Sequence, residues 1–190
     1  MQAGTAGAPT EPVSIQQEQE LPSYTFSYQS GVLWSVGNHA GPLDYVLAPQ
    51  ILSLRTPEMF GTDLGGGRLS VRNRFDLLAV GVIEGPENYF FGITAAPSIE
   101  WRIPNCPVSY YFSAGGGVGF MDAKGYSVPG GQGQDFNLTW FISTGLEFSF
   151  GNNWIATLGV YYQHISNGGM DDVNPGIDAL GPVIGVGYQF

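Results

Sequence analysis

Three polar side chains near the end of the chain are those of a nucleophilic ester-cleaving site. His164 and Ser166 are two residues apart, and Asp178 follows after a polar, glycine-rich stretch. In an extended strand, residues i and i+2 point from the same face about 7 Å apart, so an imidazole can reach a hydroxyl. Such a set supplies a nucleophile, a general base and an orienting carboxylate. We predict that His164 takes the proton of Ser166, that Asp178 fixes the imidazole tautomer, and that the hydroxyl attacks an ester carbonyl.

Strands must position these residues. After residue 22, segments rich in aromatic and β-branched residues alternate with clusters of Gly, Pro, Asn and Asp, and none has a convincing helical period. The pattern predicts strands at 24–36, 43–54, 68–83, 89–103, 107–121, 136–150, 153–166 and 178–190. Pro49 and Pro97 cannot donate a ladder hydrogen bond, so bulges or displaced strand ends are expected there. Residues 1–22, rich in Gln, Glu and Pro, are predicted to be a flexible tail, and 23–190 the folded domain.

The alternation within the strands predicts an all-β, eight-stranded antiparallel transmembrane β-barrel. In 136–150 and 178–190, one face is bulky and apolar and the other small or polar. An eight-stranded lumen is too narrow for such aromatic faces, so they must point outward. Charged residues fall on the opposite faces and are predicted to pair inside the lumen: Arg72, Arg74, Asp76, Glu100, Arg102 and Glu147. Two alternatives are a soluble sandwich with solvated charges and a lipocalin-like binder with an apolar lumen.

The same alternation assigns the three candidate residues to the lipid face. His164 and Ser166 continue the apolar face of their strand, and Asp178 opens the apolar face of the last strand. These strands are hairpin neighbours, so the side chains are predicted to meet at the outer membrane boundary. With a periplasmic N-terminus, 167–177 lies outside the cell. The expected partner is an outer-leaflet lipid; the alternative is a non-catalytic polar rim at the barrel's mouth.

Composition narrows the classes of partner. The 190 residues carry 6 Lys+Arg against 16 Asp+Glu, a net charge of −10, and Lys124 is the single lysine, which argues against nucleic acid. The single cysteine, Cys106, excludes an intramolecular disulfide, and nothing predicts a metal site or a cofactor. No apolar run has the length of a membrane helix. Residues 1–22 lack the apolar stretch of a signal peptide, so export requires that a signal was removed. The sequence does not indicate the oligomeric state.

One segment resembles a known family. The run 164–169 (His-Ile-Ser-Asn-Gly-Gly), followed by 174–178 (Asn-Pro-Gly-Ile-Asp), is similar to the C-terminal motif of the PagL-type lipid A 3-O-deacylases, which are eight-stranded outer-membrane barrels. The family's motif is His-x-Ser-Asn, then Asn-Pro-Gly, then an acidic residue that is usually Glu; this chain has Asp178. The resemblance is close over 164–178 and looser over 136–190.

The resemblance implies a place in the bacterial outer membrane and an esterase that releases the 3-position hydroxyacyl chain from lipid A (lipopolysaccharide). It assigns Ser166 as nucleophile, His164 as base and Asp178 as the acidic partner. It further implies an oxyanion hole formed by Asn174 and by the backbone of Gly169. An alternative function is a non-catalytic outer-membrane barrel, such as an adhesin or a structural protein, that retains the motif.

The charge of the chain bears on this substrate, because lipid A is commonly phosphorylated. Lys124 stands outside the lumen, whereas most arginines are assigned inside it. Three interpretations stay open: divalent ions bridge Asp171 and Asp172 to phosphate, the natural lipid carries less phosphate, or the chain is not an active deacylase. The simplest interpretation of Asp171 and Asp172 is a solvated loop. His39, in the first predicted outer loop, is interpreted as a rim residue.

Overall fold

The computed structural model describes residues 23–36 and 44–190, and these form an antiparallel sheet that closes on itself. Its strands are β1 (Thr25–Gly31), β2 (Leu33–Ser35), β3 (Val46–Arg55), β4 (Phe60–Leu64), β5 (Gly67–Glu84), β6 (Tyr89–Arg102), β7 (Val108–Met121), β8 (Phe136–Phe150), β9 (Trp154–Ser166) and β10 (Ile177–Gln189). Strand β1 pairs with both β3 and β10, which closes the barrel. The predicted tail 1–22 and His39 lie outside the described residues.

Eight strand positions make up the barrel wall, so the predicted eight-stranded antiparallel barrel is confirmed. Strands β1 and β2 share one position and are interrupted at Val32. Strand β4 is an addition that was not predicted, and it pairs with β5 through a tight turn at Gly65 and Gly66. Both glycines have positive φ, +60° and +78°, as a two-residue hairpin of type I′ requires. Within the described ranges, no helix is long and apolar enough to cross a membrane.

The bulges or displaced strand ends expected at the two strand prolines are not found, since both prolines lie inside their strands, and that expectation was wrong. The β6–β7 pairs on either side of Pro97 have the same register, and the ladder is only interrupted between them. Pro49 falls in the gap between the β1 and β2 pairings with β3, which also share one register. A missing donor is thus accommodated by a local gap without an inserted residue. The register shift in β3 lies instead between Val46 and Leu47.

The lumen holds paired charges, as the alternation predicted. Arg55, which the alternation had not singled out, lies 2.6 Å from both Glu100 and Glu147, and Arg74 lies 2.8 Å from Asp76. Nearly all of these side chains are buried, and Arg102, at the end of β6, is the more exposed partner of Glu100. Buried charges are tolerated when each has a partner. The lumen is therefore packed. An apolar cluster fills it between the charges and the end of the barrel that carries the loops 122–135 and 167–176.

The barrel exterior is apolar. On β8 and β10 most outward positions hold large exposed hydrophobic residues: Leu138, Trp140, Ile142, Leu146, Phe148, Phe150, Leu180, Ile184, Val186, Tyr188. Apolar residues outside and polar residues inside are the pattern of a barrel in a membrane. A soluble lipocalin-like binder requires the reverse pattern on its surface, so the structure does not fit that alternative.

Candidate active site

The β9–β10 hairpin brings the three candidate residues together on the barrel exterior. Asp178 is the direct cross-strand partner of His164, and Ser166 follows His164 on the same face of β9. His164 Nε2 lies 2.8 Å from Ser166 Oγ, and His164 Nδ1 lies 2.8 Å from Asp178 Oδ1. Both distances are those of hydrogen bonds. The arrangement can therefore pass the Ser166 proton to His164 while Asp178 orients the imidazole.

The site is partly covered yet accessible from outside the barrel. The side chains of His164 and Asp178 are 24% and 14% exposed. Their outward neighbours on the same wall are apolar, with Leu138 and Leu180 both exposed. To place polar side chains among apolar residues costs free energy unless the polar groups are hydrogen-bonded. Here His164 bonds to both Ser166 and Asp178.

Two aromatic residues that the sequence reasoning did not assign to the site contact it. Tyr162 donates its hydroxyl hydrogen to Asp178 Oδ1. Trp140 of β8 is the cross-strand partner of His164 and stacks on it, with ring centroids 5.7 Å apart and planes at 30°. Trp140 also contacts the Tyr162 ring at 4.8 Å. The signal for both was their outward parity: Tyr162 precedes His164 by two residues, and Trp140 lies on the outward face of β8.

The loop after Ser166 is organised by a buried asparagine. Asn167 Oδ1 accepts the Gly169 N–H at 2.9 Å, and Asn167 Nδ2 donates to the Val173 carbonyl at 3.0 Å. The Asn167 N–H donates to Asn174 Oδ1 at 2.9 Å. Because this bond uses the oxygen of the Asn174 amide, the nitrogen is the end that can donate to a substrate.

The two predicted oxyanion donors therefore differ in their hydrogen bonds to the loop. The Gly169 N–H is committed to Asn167, so it must exchange that bond before it can contact a substrate. Gly168 and Gly169 have φ of +66° and +80°, a backbone that residues with a Cβ rarely adopt. Asn174 is exposed, and its amide is fixed by one bond to the loop backbone.

A third glycine packs against the imidazole. Gly176 has φ of +73° and lies just before β10. A Cβ on Gly176 would lie 3.4 Å from His164 Cε1 and 3.9 Å from Ser166 Cβ. The turn into β10 thus lies in van der Waals contact with the base and the nucleophile, and its positive φ favours glycine at this position.

A neighbouring loop, residues 122–135, braces the site loop. Tyr126 donates to Asp171 at 2.9 Å, and the Gly133 N–H donates to the Val173 carbonyl at 2.9 Å. Asp171 is therefore a structural acceptor, whereas Asp172 is exposed. Within 23–36 and 44–190, no group of His, Cys, Asp or Glu side chains is arranged to hold a metal ion.

At the base of this loop, Asp122 accepts hydrogen bonds from the backbone N–H groups of Asn88 and Tyr89. Burial raises the pKa of Asp122, but the hydrogen bonds from Asn88 and Tyr89 and the nearby Lys124 outweigh burial and lower the pKa to about 2. The carboxylate therefore stays charged and ties the loop to the β5–β6 connection.

Comparison with known proteins gives a family match and similar solved structures. The family model described as lipid A 3-O-deacylase (PagL) matches residues 59–187, more than half of the chain and including 164–178. The chain matches none of the curated proteins. The crystal structure of the outer membrane enzyme PagL is similar, with a TM-score of 0.57 and 19% identity over 86% of this chain and 98% of that chain. Neisserial surface protein A (NspA) gives a TM-score of 0.53 and 14% identity over 88% of this chain and 97% of that chain.

At such identities the solved structures show the fold, that of the bacterial outer-membrane barrels. The family assignment comes from the family model and its long match. The chain therefore belongs to the lipid A 3-O-deacylase (PagL) family.

Proposed function

We propose that the protein is an outer-membrane serine esterase that removes the ester-linked acyl chain at the 3-position of lipid A. The observation that carries the proposal is the hydrogen-bonded series Ser166, His164, Asp178, with 2.8 Å at both contacts of the imidazole. The family match supports the substrate class and the bond to be cleaved.

The chemistry follows from the two hydrogen bonds of His164. With Nδ1–H donating to Asp178, the lone pair of Nε2 faces Ser166 and accepts its proton. Ser166 Oγ then forms a bond to the ester carbonyl carbon, and the negative charge of Asp178 stabilises the imidazolium. When the intermediate collapses, the sugar hydroxyl leaves with the proton from His164. Water, activated by His164 in turn, releases the fatty acid and restores Ser166.

We assign stabilisation of the oxyanion to Asn174 Nδ2 and, after exchange of its bond to Asn167, to the Gly169 N–H. The bond from the Asn167 backbone holds the Asn174 amide in one orientation, which favours a preorganised donor. Preorganised donors at the developing charge supply a large part of the acceleration in ester cleavage.

We place the reaction at the lipid-facing outer end of the barrel. Exposed apolar residues surround the three polar groups on the exterior wall, with Trp140, Leu138 and Leu180 each about two-fifths exposed. A lipid that stands in the outer leaflet presents its ester carbonyls at the boundary between acyl chains and headgroup. The ester then meets Ser166 without leaving the membrane.

Mass spectrometry of lipid A tests the proposal. Cells or vesicles with the wild-type barrel should yield lipid A that lacks one 3-linked hydroxyacyl chain, and the Ser166→Ala barrel should leave lipid A intact. Ser109→Ala, on the lumen side of β7, is the matched control and should behave as wild type. A folded wild-type barrel that leaves lipid A unchanged would refute the proposal and favour a non-catalytic barrel. Labelling by a fluorophosphonate, lost in Ser166→Ala, gives an independent readout.

A further inference from the structure

We infer that Tyr162 is a positioning residue that holds the Asp178 carboxylate against His164; the inference rests on the proposed function. Tyr162 is not part of the motif, and its hydrogen bond and its ring contact are with Asp178 and Trp140. Its hydroxyl donates to Asp178 Oδ1, the same oxygen that lies 2.8 Å from His164 Nδ1. A single carboxylate oxygen therefore links the base and the tyrosine.

The strand register explains why this contact forms. Tyr162 and His164 are on the same face of β9, and their partners on β10 are Leu180 and Asp178. The tyrosine thus reaches Asp178 along the diagonal between the strands, a separation that a long aromatic side chain can span. Leu180 offers no hydrogen-bonding group, so the hydroxyl turns toward the carboxylate.

The carboxylate needs such a restraint. Asp178 is the second residue of β10, directly after the loop that carries Asn174 and Gly176. A carboxylate beside exposed apolar residues is stable in its charged form only if donors hold it. The Tyr162 O–H supplies one donor, which holds Asp178 in the rotamer that orients the imidazole.

Trp140 completes the arrangement from the other side. Its ring lies against both His164 and Tyr162, with centroid distances of 5.7 and 4.8 Å. The imidazole and the phenol are thereby held side by side while their polar atoms meet at Asp178. A purely interfacial aromatic would pack its ring in the same way but would not need its hydroxyl.

The test is a double-mutant cycle on the full-length barrel. Tyr162→Phe keeps the ring and removes only the donor, and Asp178→Ala removes the acceptor. For hydroxyacyl release from purified lipid A in detergent, we expect Tyr162→Phe to lower kcat about tenfold, as loss of a hydrogen bond to a charged group does, with KM unchanged. In the Asp178→Ala background, Tyr162→Phe should not lower kcat any further, because the carboxylate through which Tyr162 acts is absent.

The controls separate the possible failures. Tyr188→Phe, an exterior tyrosine at the opposite end of β10, should leave kcat at the wild-type value. Circular dichroism verifies that each variant is folded. If wild type is active and Tyr162→Phe has wild-type kcat, lowers kcat equally in both backgrounds, or changes only KM, the inference is wrong and the proposed function stands. If the folded wild type releases no hydroxyacyl chain, the proposed function fails and the inference falls with it.

Discussion

Asp178 lies directly across from His164 in the β9–β10 ladder, and its Oδ1 is 2.8 Å from His164 Nδ1. Direct pairing places the two Cβ atoms close together, so a short carboxylate suffices to reach the imidazole. This geometry allows an aspartate, one methylene shorter than the glutamate that is usual in the motif, to make the contact.

Substitution of this carboxylate tests its charge separately from its shape. Asp178→Asn keeps the size of the side chain but removes the charge that stabilises the imidazolium, and we expect kcat to fall by about 10² to 10⁴. Asp178→Glu keeps the charge but places it one methylene further out, so it should retain more activity than Asp178→Asn. Steady-state kinetics on purified lipid A measure both, and wild-type kcat in Asp178→Asn would contradict the assigned role.

The Asn174 amide gives a second prediction. Loss of an oxyanion donor typically costs about 10² to 10³ in kcat. Asn174→Asp preserves an oxygen that can accept the Asn167 N–H but has no N–H to donate. Its activity should fall as far as that of Asn174→Ala, with KM little changed. Near-normal activity in Asn174→Asp would show that the amide acts as an acceptor in the loop and not as a donor to substrate.

Gly176 allows backbone strain to be separated from effects on the site. An alanine at φ +73° costs about 1 to 2 kcal/mol, and the turn that must relieve this strain is in van der Waals contact with the imidazole, because the added Cβ would lie 3.4 Å from His164 Cε1. Gly151→Ala is the matched control, because Gly151 also has positive φ, +55°, but faces open space at the opposite end of the barrel. Both variants should lose similar stability in thermal unfolding, whereas Gly176→Ala alone should lose esterase activity. Equal activity in the two variants would contradict close packing at the imidazole.

Much of this arrangement could be predicted from alternation. Parity alone placed the bulky residues of β8 outside and Arg74 and Glu100 inside, because a strand has only two faces and an eight-stranded lumen cannot hold aromatic rows. Parity also brought His164 and Asp178 to one face. The Tyr162 contact could not be predicted, since it depends on the register between strands and on a side-chain rotamer.

The loops and prolines could be predicted less well. The bond between Gly169 and Asn167 follows from positive φ at consecutive glycines, which no periodicity encodes. At Pro49 and Pro97 a missing donor was expected to produce a bulge or a displaced strand end. A gap in the ladder satisfies the same constraint with fewer changes to the register.

Asp122 gives a prediction about pH. Its pKa, lowered in the folded state to about 2, means that the carboxylate contributes stability above its unfolded value near 4, and that this contribution is lost as the pH falls through about 2. The amide resonances of Asn88 and Tyr89, which donate to it, should therefore shift between pH 4 and pH 2. Asp122→Asn should remove that transition. A transition centred near pH 4 would contradict the described hydrogen bonds.

The negative charge at the site end of the barrel gives a prediction about the phosphates of the lipid headgroup. The end of the barrel that carries the site has many carboxylates, including Asp171 and Asp172, whereas its cation, Lys124, is 3.2 Å from Asp122. Phosphate groups are repelled by such a rim unless divalent ions lie between them. With EDTA present, dephosphorylated lipid A should be hydrolysed faster than bisphosphorylated lipid A, and Mg²⁺ should reduce the difference.

Neutralisation of the exposed Asp172 measures how much one carboxylate at this end of the barrel contributes to the preference for dephosphorylated lipid A. Asp172→Asn should narrow the difference between the two lipids in EDTA, without an effect on the dephosphorylated lipid, because Asp172 lies outside the hydrogen-bonded series at His164. Mg²⁺ that accelerates only the phosphorylated lipid supports bridging by cations. If Mg²⁺ has no effect and the difference persists, a lipid with less phosphate is the better substrate on charge alone. Faster hydrolysis of the bisphosphorylated lipid in EDTA would show that the rim does not select against phosphate.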